Sequence, residues 1–197
     1  MKKTSKIIGR SVLVFFTIII FSLTAVYGIS MHNAKKNTDE NKSAADFIDT
    51  ILTFTYSGQI EQLSNVQMPV INFNGTDYSA MLDIPSHSVH IPIRSEWQKQ
   101  FFDASPCRFS GSCYDGSLII GGSDFSGQFD FLSDIDIGDN VKITDMTGAV
   151  FIYNVDSVKH SKNINKDLNN ISGYDFSFFG KSKKSHDYIL VLCNHQD

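Results

Sequence analysis

An all-β domain, barrel or sandwich, behind one N-terminal membrane-spanning helix is the architecture this sequence predicts. Three observations carry that expectation. Ser11–Ser30 is an uncharged, mostly apolar run preceded by Lys2, Lys3, Lys6 and Arg10. From Pro69 onward, short apolar and aromatic runs are separated by turn signals, roughly seven strands in all. The chain has 197 residues, 42% of them hydrophobic, enough for one buried core and an appendage.

Twenty residues at about 1.5 Å each match a hydrocarbon core of about 30 Å. The run exceeds the roughly 7–15 residues of a signal-peptide core, and "LTAVYGIS" lacks a small-x-small cleavage pair. Residues 1–10 are therefore expected as a cytoplasmic tail and 11–30 as an uncleaved anchor in contact with membrane lipid. The basic flank keeps the N-terminus inside and puts the C-terminal domain outside the cell. Residues 31–68 follow as a polar stalk ("MHNAKKNTDENKS", 31–43) and a linking helix. In that helix Ala44, Phe47, Ile48, Ile51 and Leu52 recur at helical spacing. With Asp39, Glu40, Asp46 and Asp49 against Lys42, the stripe suits packing on the next domain better than a lipid surface.

The β domain is assigned to residues 69–197. "VINF-NG-TDYSAMLDIP" holds Asn74-Gly75, a two-residue hairpin signal. "VHIPI" and "SLIIGG" read as strands, "FSGQFDFLSDI" as a short helical crossover, "NVKITD-MTG-AVFIYNVDSV" as a second hairpin, and "YILVLC" as the last strand. Setting aside the four basic residues of the leader leaves 13 Lys+Arg against 21 Asp+Glu, a net charge near −8. That balance excludes a nucleic-acid partner. Three cysteines outside the cell allow one bridge at most. Cys107 and Cys113 are the pair close in sequence, and the pairing stays open.

The segments "YSAMLDIPSHSVHIPI", "SEW", "SPCRFSGS", "SLIIGGSDFSGQFDFLSDIDIGDNVKITDMTGAVFIYNV" and "YILVLC", in that order, resemble the sortases of Gram-positive bacteria. The resemblance runs from about Asp77 to Cys193. It implies an eight-stranded barrel and a membrane-anchored cysteine transpeptidase. Such an enzyme cleaves an LPxTG-type sorting signal through a Cys thioacyl intermediate, which an amine of the cell wall or of a pilin resolves. A cysteine ends one strand, an arginine on the next strand stabilises the oxyanion, and a histidine after an apolar strand moves the proton. By this resemblance Cys193, in "ILVLC", takes the cysteine position. Gly122, in "LIIGGS", occupies the histidine position. The arginine position falls beyond Asp197, so the final strand is expected to be missing.

Other histidines are weak substitutes. His195 is two residues past Cys193, about 6.6 Å along an extended strand, too far for a direct hydrogen bond. His87 and His90 read as surface residues, His160 and His186 as loop residues, and His32 as part of the stalk. No nucleophile elbow, Walker loop or HExxH occurs, and Asp134, Asp136 and Asp139 lack the Gly and Glu of an EF-hand register. No cofactor or metal is expected. Three functions fit: a sortase-like transpeptidase with only its Cys retained, a non-catalytic domain that binds sorting signals or pilins, or a membrane-tethered structural domain.

Overall fold

The computed structural model describes residues 2–55, 67–98, 102–124, 128–182, 185 and 187–196. Two compact units divide at Lys36 and Asn37. The first belongs to helix α1 (Lys2–Thr55) and carries a stretch long and apolar enough to cross a membrane. The polar residues 31–43, expected as a stalk, are helical as well. Their Ala, Lys, Asn and Glu content contains no Pro or Gly to stop the helix.

Among the described residues of the second unit, nine strands form one sheet: β1 (Ile71–Phe73), β2 (Thr76–Ile84), β3 (Val89–Arg94), β4 (Cys107–Ser110), β5 (Leu118–Ser123), β6 (Asn140–Asp145), β7 (Val150–Ser161), β8 (Phe176–Lys181) and β9 (Tyr188–His195). Both expected hairpins form. Asn74 and Gly75 take left-handed φ of 50° and 78°, the conformation a two-residue turn between twisted strands requires. Strands β2 to β9 close into an eight-stranded barrel in the order β2-β3-β4-β5-β8-β9-β7-β6 and back to β2. The expected crossover helix reduces to a 3-10 turn at Asp130–Ser133, with residues 125–127 outside the described residues. A short helix α2 (Ile164–Leu168) lies between β7 and β8.

The final strand is not missing. β9 pairs with β8 on one side and β7 on the other, so the cysteine-bearing strand has no open edge. Strand β8, "FSFFGK", has no sequence signature of its own: it lacks polar–apolar alternation because both of its faces are buried. Leu118, Ile120, Phe176, Phe178, Val191 and Cys193 point into the barrel. Ile119, Phe179, Leu190 and Leu192 face outward into a second cluster.

The linking helix packs as its stripe requires. Ala44, Ala45 and Ile48 are buried against Tyr78, Met81 and Met146, with Phe47 and Leu52 alongside. A polar clamp adds to this. His90 Nε2 lies 2.9 Å from Asp49 on the helix, and its Nδ1 lies 2.5 Å from Asp83 on β2. The bond to Asp83, aided by Asp49 and opposed by burial, raises His90 to about 9. Burial would raise Asp83, but His90 and Lys142 outweigh it and hold it below the usual carboxylate range. A histidine raised in the folded state stabilises fully below its unfolded value of about 6.5 and loses that contribution as pH climbs through about 9. Stability should therefore fall between pH 7 and 10 in the parent. His90→Asn should flatten that slope and cost about 1 kcal/mol at pH 6, modest because the imidazole is 43% exposed. Urea midpoints across that pH range test it. An unchanged slope in the variant would remove His90 as its source.

Candidate functional site

Strands β5, β8 and β9 lie side by side, and their register locates every residue the resemblance singles out. Gly122 lies opposite Gly180 on β8, and Gly180 lies opposite Ile189 on β9. Cys193 lies opposite Phe176, which pairs with Leu118 at the start of β5. Gly122 and Cys193 are thus four residues apart along the barrel, about 13 Å at 3.3 Å per residue. The structure does not bring them together.

Cys193 sits in the interior. It is 0% exposed, and burial, with Asp156 adding to it, pushes its thiol far up, away from the reactive thiolate. Cys107 and Cys113 are also buried free thiols, raised by burial to about 11 and about 12. His195 is exposed. Its backbone N–H donates to Asp175 and its ring lies 5.0 Å from the ring of Tyr153. His160 belongs to strand β7 rather than to a loop, and His186 lies outside the described residues. His87 is not a free surface residue: its Nε2 lies 2.8 Å from Asp139, which also accepts the Asp136 N–H. Asp139 is thereby committed to its own loop.

The space beside Gly122 is filled. A Cβ on Gly122 would stand 2.8 Å from the ring of Phe129, and one on Gly180 would stand 2.3 Å from Leu132. Phe129 is fully buried and meets Phe131 and Phe178 edge-on at 5.7 and 5.8 Å. On the outer side, a Cβ on Gly121 would lie 2.7 Å from Phe179 and 2.9 Å from Trp97. Three glycines let aromatic and aliphatic side chains rest directly on the ends of β5 and β8. One row further, Ser123, Lys181 and Tyr188 are successive register partners. Among these positions there is no thiol, imidazole or guanidinium. The sequence signal for this was the glycine pair in "LIIGGS" together with the Gly of "FSFFGK".

The opposite end is open. A groove of about 480 Å³ lies on the outer face where β5 and β8 begin. Ile119 and Ser177 lie along it, and Leu168, Ile171 and Tyr174 wall it from the segment between β7 and β8. Ser177 is buried and its hydroxyl has no partner among the described residues.

Register, closure and strand order define a sortase-type barrel, and solved structures agree. Sortase A from Corynebacterium diphtheriae superposes with a TM-score of 0.55 at 18% identity, covering 83% of this chain and 92% of that one. Sortase C-3 from Streptococcus pneumoniae gives 0.54 at 13% identity, over 82% and 84%. A Clostridium perfringens sortase D5 transpeptidase gives 0.51 at 17% identity, over 84% and 99%. At these identities the likeness is one of fold. No protein-family model and no curated protein sequence matches the chain.

Proposed function

We propose that this chain is a membrane-tethered, non-catalytic sortase-fold domain that binds an extended polypeptide, such as a sorting signal, without cleaving it. The observation that carries this reading is the packing of Phe129 and Leu132 onto Gly122 and Gly180. The resemblance puts the cysteine and arginine on consecutive strands, and the consecutive strands beside β5 are β8 and β9. At the level of the β5 end these carry Gly180 and Lys181, then Tyr188 and Ile189. None of these can form a thioacyl bond or shuttle a proton as imidazole does. The groove walled by Leu168, Ile171 and Tyr174 supports the binding half of the proposal, since it combines apolar walls with a few hydroxyls. The basic flank of the apolar helix supports an extracellular placement of the barrel.

The test uses the full chain in lipid nanodiscs and a fluorescent LPxTG-type peptide. Saturable binding without cleavage is expected, and Ile171→Asp should weaken it about tenfold by putting a charge on an apolar wall. Turnover that needs a cell-wall or pilin amine and vanishes in Cys193→Ala would establish the transpeptidase instead. Absence of both binding and turnover would leave the barrel a structural tether.

A further inference from the structure

Strand β3 is paired along its length with β2 on one side only. On the other side it meets β4 through a single bridge, Arg94 opposite Cys107. Before β4 the described chain bonds to helix α1: Asn37 and Asn41 donate to the carbonyls of Asp103 and Ala104. The direction of the β3 backbone follows from Pro92, opposite Met81. A proline has no N–H, so it occupies a non-hydrogen-bonded pair of an antiparallel ladder. Residues of the same parity, His90 and Arg94, then turn their N–H away from β2. Arg94 does so visibly, its N–H donating to Pro106 at 3.0 Å. Four residues earlier, among the described residues, no hydrogen bond outside the ladders reaches the His90 N–H.

That backbone faces space. A groove of about 390 Å³ runs past Val89, His90 and Ile91. Consecutive residues line it, inward-facing Ile91 as well as outward-facing His90, so it follows the edge of the strand rather than one face. Lys42, Asp46 and Asp130 stand around it, and among the described residues no ion pair joins them. The side chain of His90 is occupied by Asp49 and Asp83. Buried Gln128, also in the wall, has an Nε2 donor without a partner among the described residues.

We propose that the open edge of β3 is a strand-addition site for an extended, basic polypeptide segment of a partner protein. The incoming strand continues the line of β4, exchanging hydrogen bonds with the His90 N–H and C=O and donating to the Pro92 C=O. Main-chain bonds supply the affinity in this mode, and side-chain pockets supply the selectivity. Asp46 and Asp130 outnumber Lys42, which favours a Lys or Arg on the segment. An edge left unpaired in this way is what a sheet otherwise covers or charges. The site shares no residue with the groove beside β8, so it stands or falls independently of that reading.

The experiment follows amide exchange in the full chain in detergent micelles, with Ac-Thr-Val-Lys-Val-Thr-NH2 at millimolar concentration as the probe. Without peptide, the His90 amide should exchange faster than those of Val89 and Ile91, which bond to β2. With peptide, it should slow about tenfold or more. A peptide with Glu in place of Lys should bind several-fold more weakly. A peptide N-methylated at the amide that meets β3 should give no protection, and Lys42→Trp, which fills the groove from an exposed position, should abolish the effect. A His90 amide already as slow as that of Ile91 would overturn the proposal. So would protection unchanged by the parent peptide, or an N-methylated peptide that protects equally.

Discussion

Gly122→His should destabilise the barrel by about 2–6 kcal/mol rather than restore a catalytic base. The new Cβ would stand 2.8 Å from the Phe129 ring, well inside van der Waals contact, and that ring is itself enclosed by Phe131 and Phe178. Overpacking of this kind typically costs about 1–3 kcal/mol. Burying an imidazole without a partner adds about 1–3 kcal/mol. Phe129→Ala alone should cost about 3–5 kcal/mol through the cavity it leaves. In the double variant the imidazole can enter that cavity, so the two losses should fall short of their sum by about 1 kcal/mol or more. Urea midpoints of the four proteins measure this. A tolerated Gly122→His, or strictly additive losses, would mean that Phe129 does not rest on this glycine. Even a well-tolerated histidine would gain no thiol, because Cys193 lies about 13 Å along the strand.

Cys193 should behave as a core residue in every assay that separates packing from chemistry. Cys193→Val keeps the position apolar but adds about one methyl group, and should cost about 1–2 kcal/mol. Cys193→Ser places a hydroxyl in the interior with no partner and should cost about 2–3 kcal/mol. A nucleophile would show no such ranking in activity, with the Ser and Val variants equally dead. Alkylation by iodoacetamide at pH 7 should be at least about a hundredfold slower in the folded chain than in urea, because burial both hides the sulfur and suppresses the thiolate. Mass spectrometry of Cys193-containing peptides reads this directly and keeps Cys107 and Cys113 apart. Rapid labelling of Cys193 in the folded protein would reopen the transpeptidase reading.

Much of the fold was legible in the chain. Asn74-Gly75 and the stretch through Gly148 each carried turn chemistry between strands with alternating faces, and both hairpins formed. The stripe Ala44, Phe47, Ile48 and Leu52 specified a helix face, and that face is buried on the barrel. The apolar run after Lys2, Lys3, Lys6 and Arg10 specified a helix long enough for a membrane. Strands β4 and β8 were not legible. β4 has only four residues, and β8 has two buried faces and therefore no alternation.

That omission decided the reading of the site. Local pattern determined that "YILVLC" is a buried strand and that Gly122 ends another. It could not determine which way the two strands run relative to each other, since that depends on how many strands intervene. With β8 uncounted, the separation of Gly122 from Cys193 along the barrel was not legible. With β8 in place, parallel to β5, the next strand β9 runs antiparallel to both. The C-terminal end of β9 therefore lies level with the beginning of β5, with β8 between them, and Cys193 falls among Leu118, Phe176 and the rest of the core. Side-chain identity follows from sequence, but proximity between strands follows from hydrogen-bonded register, and only the closed sheet sets that.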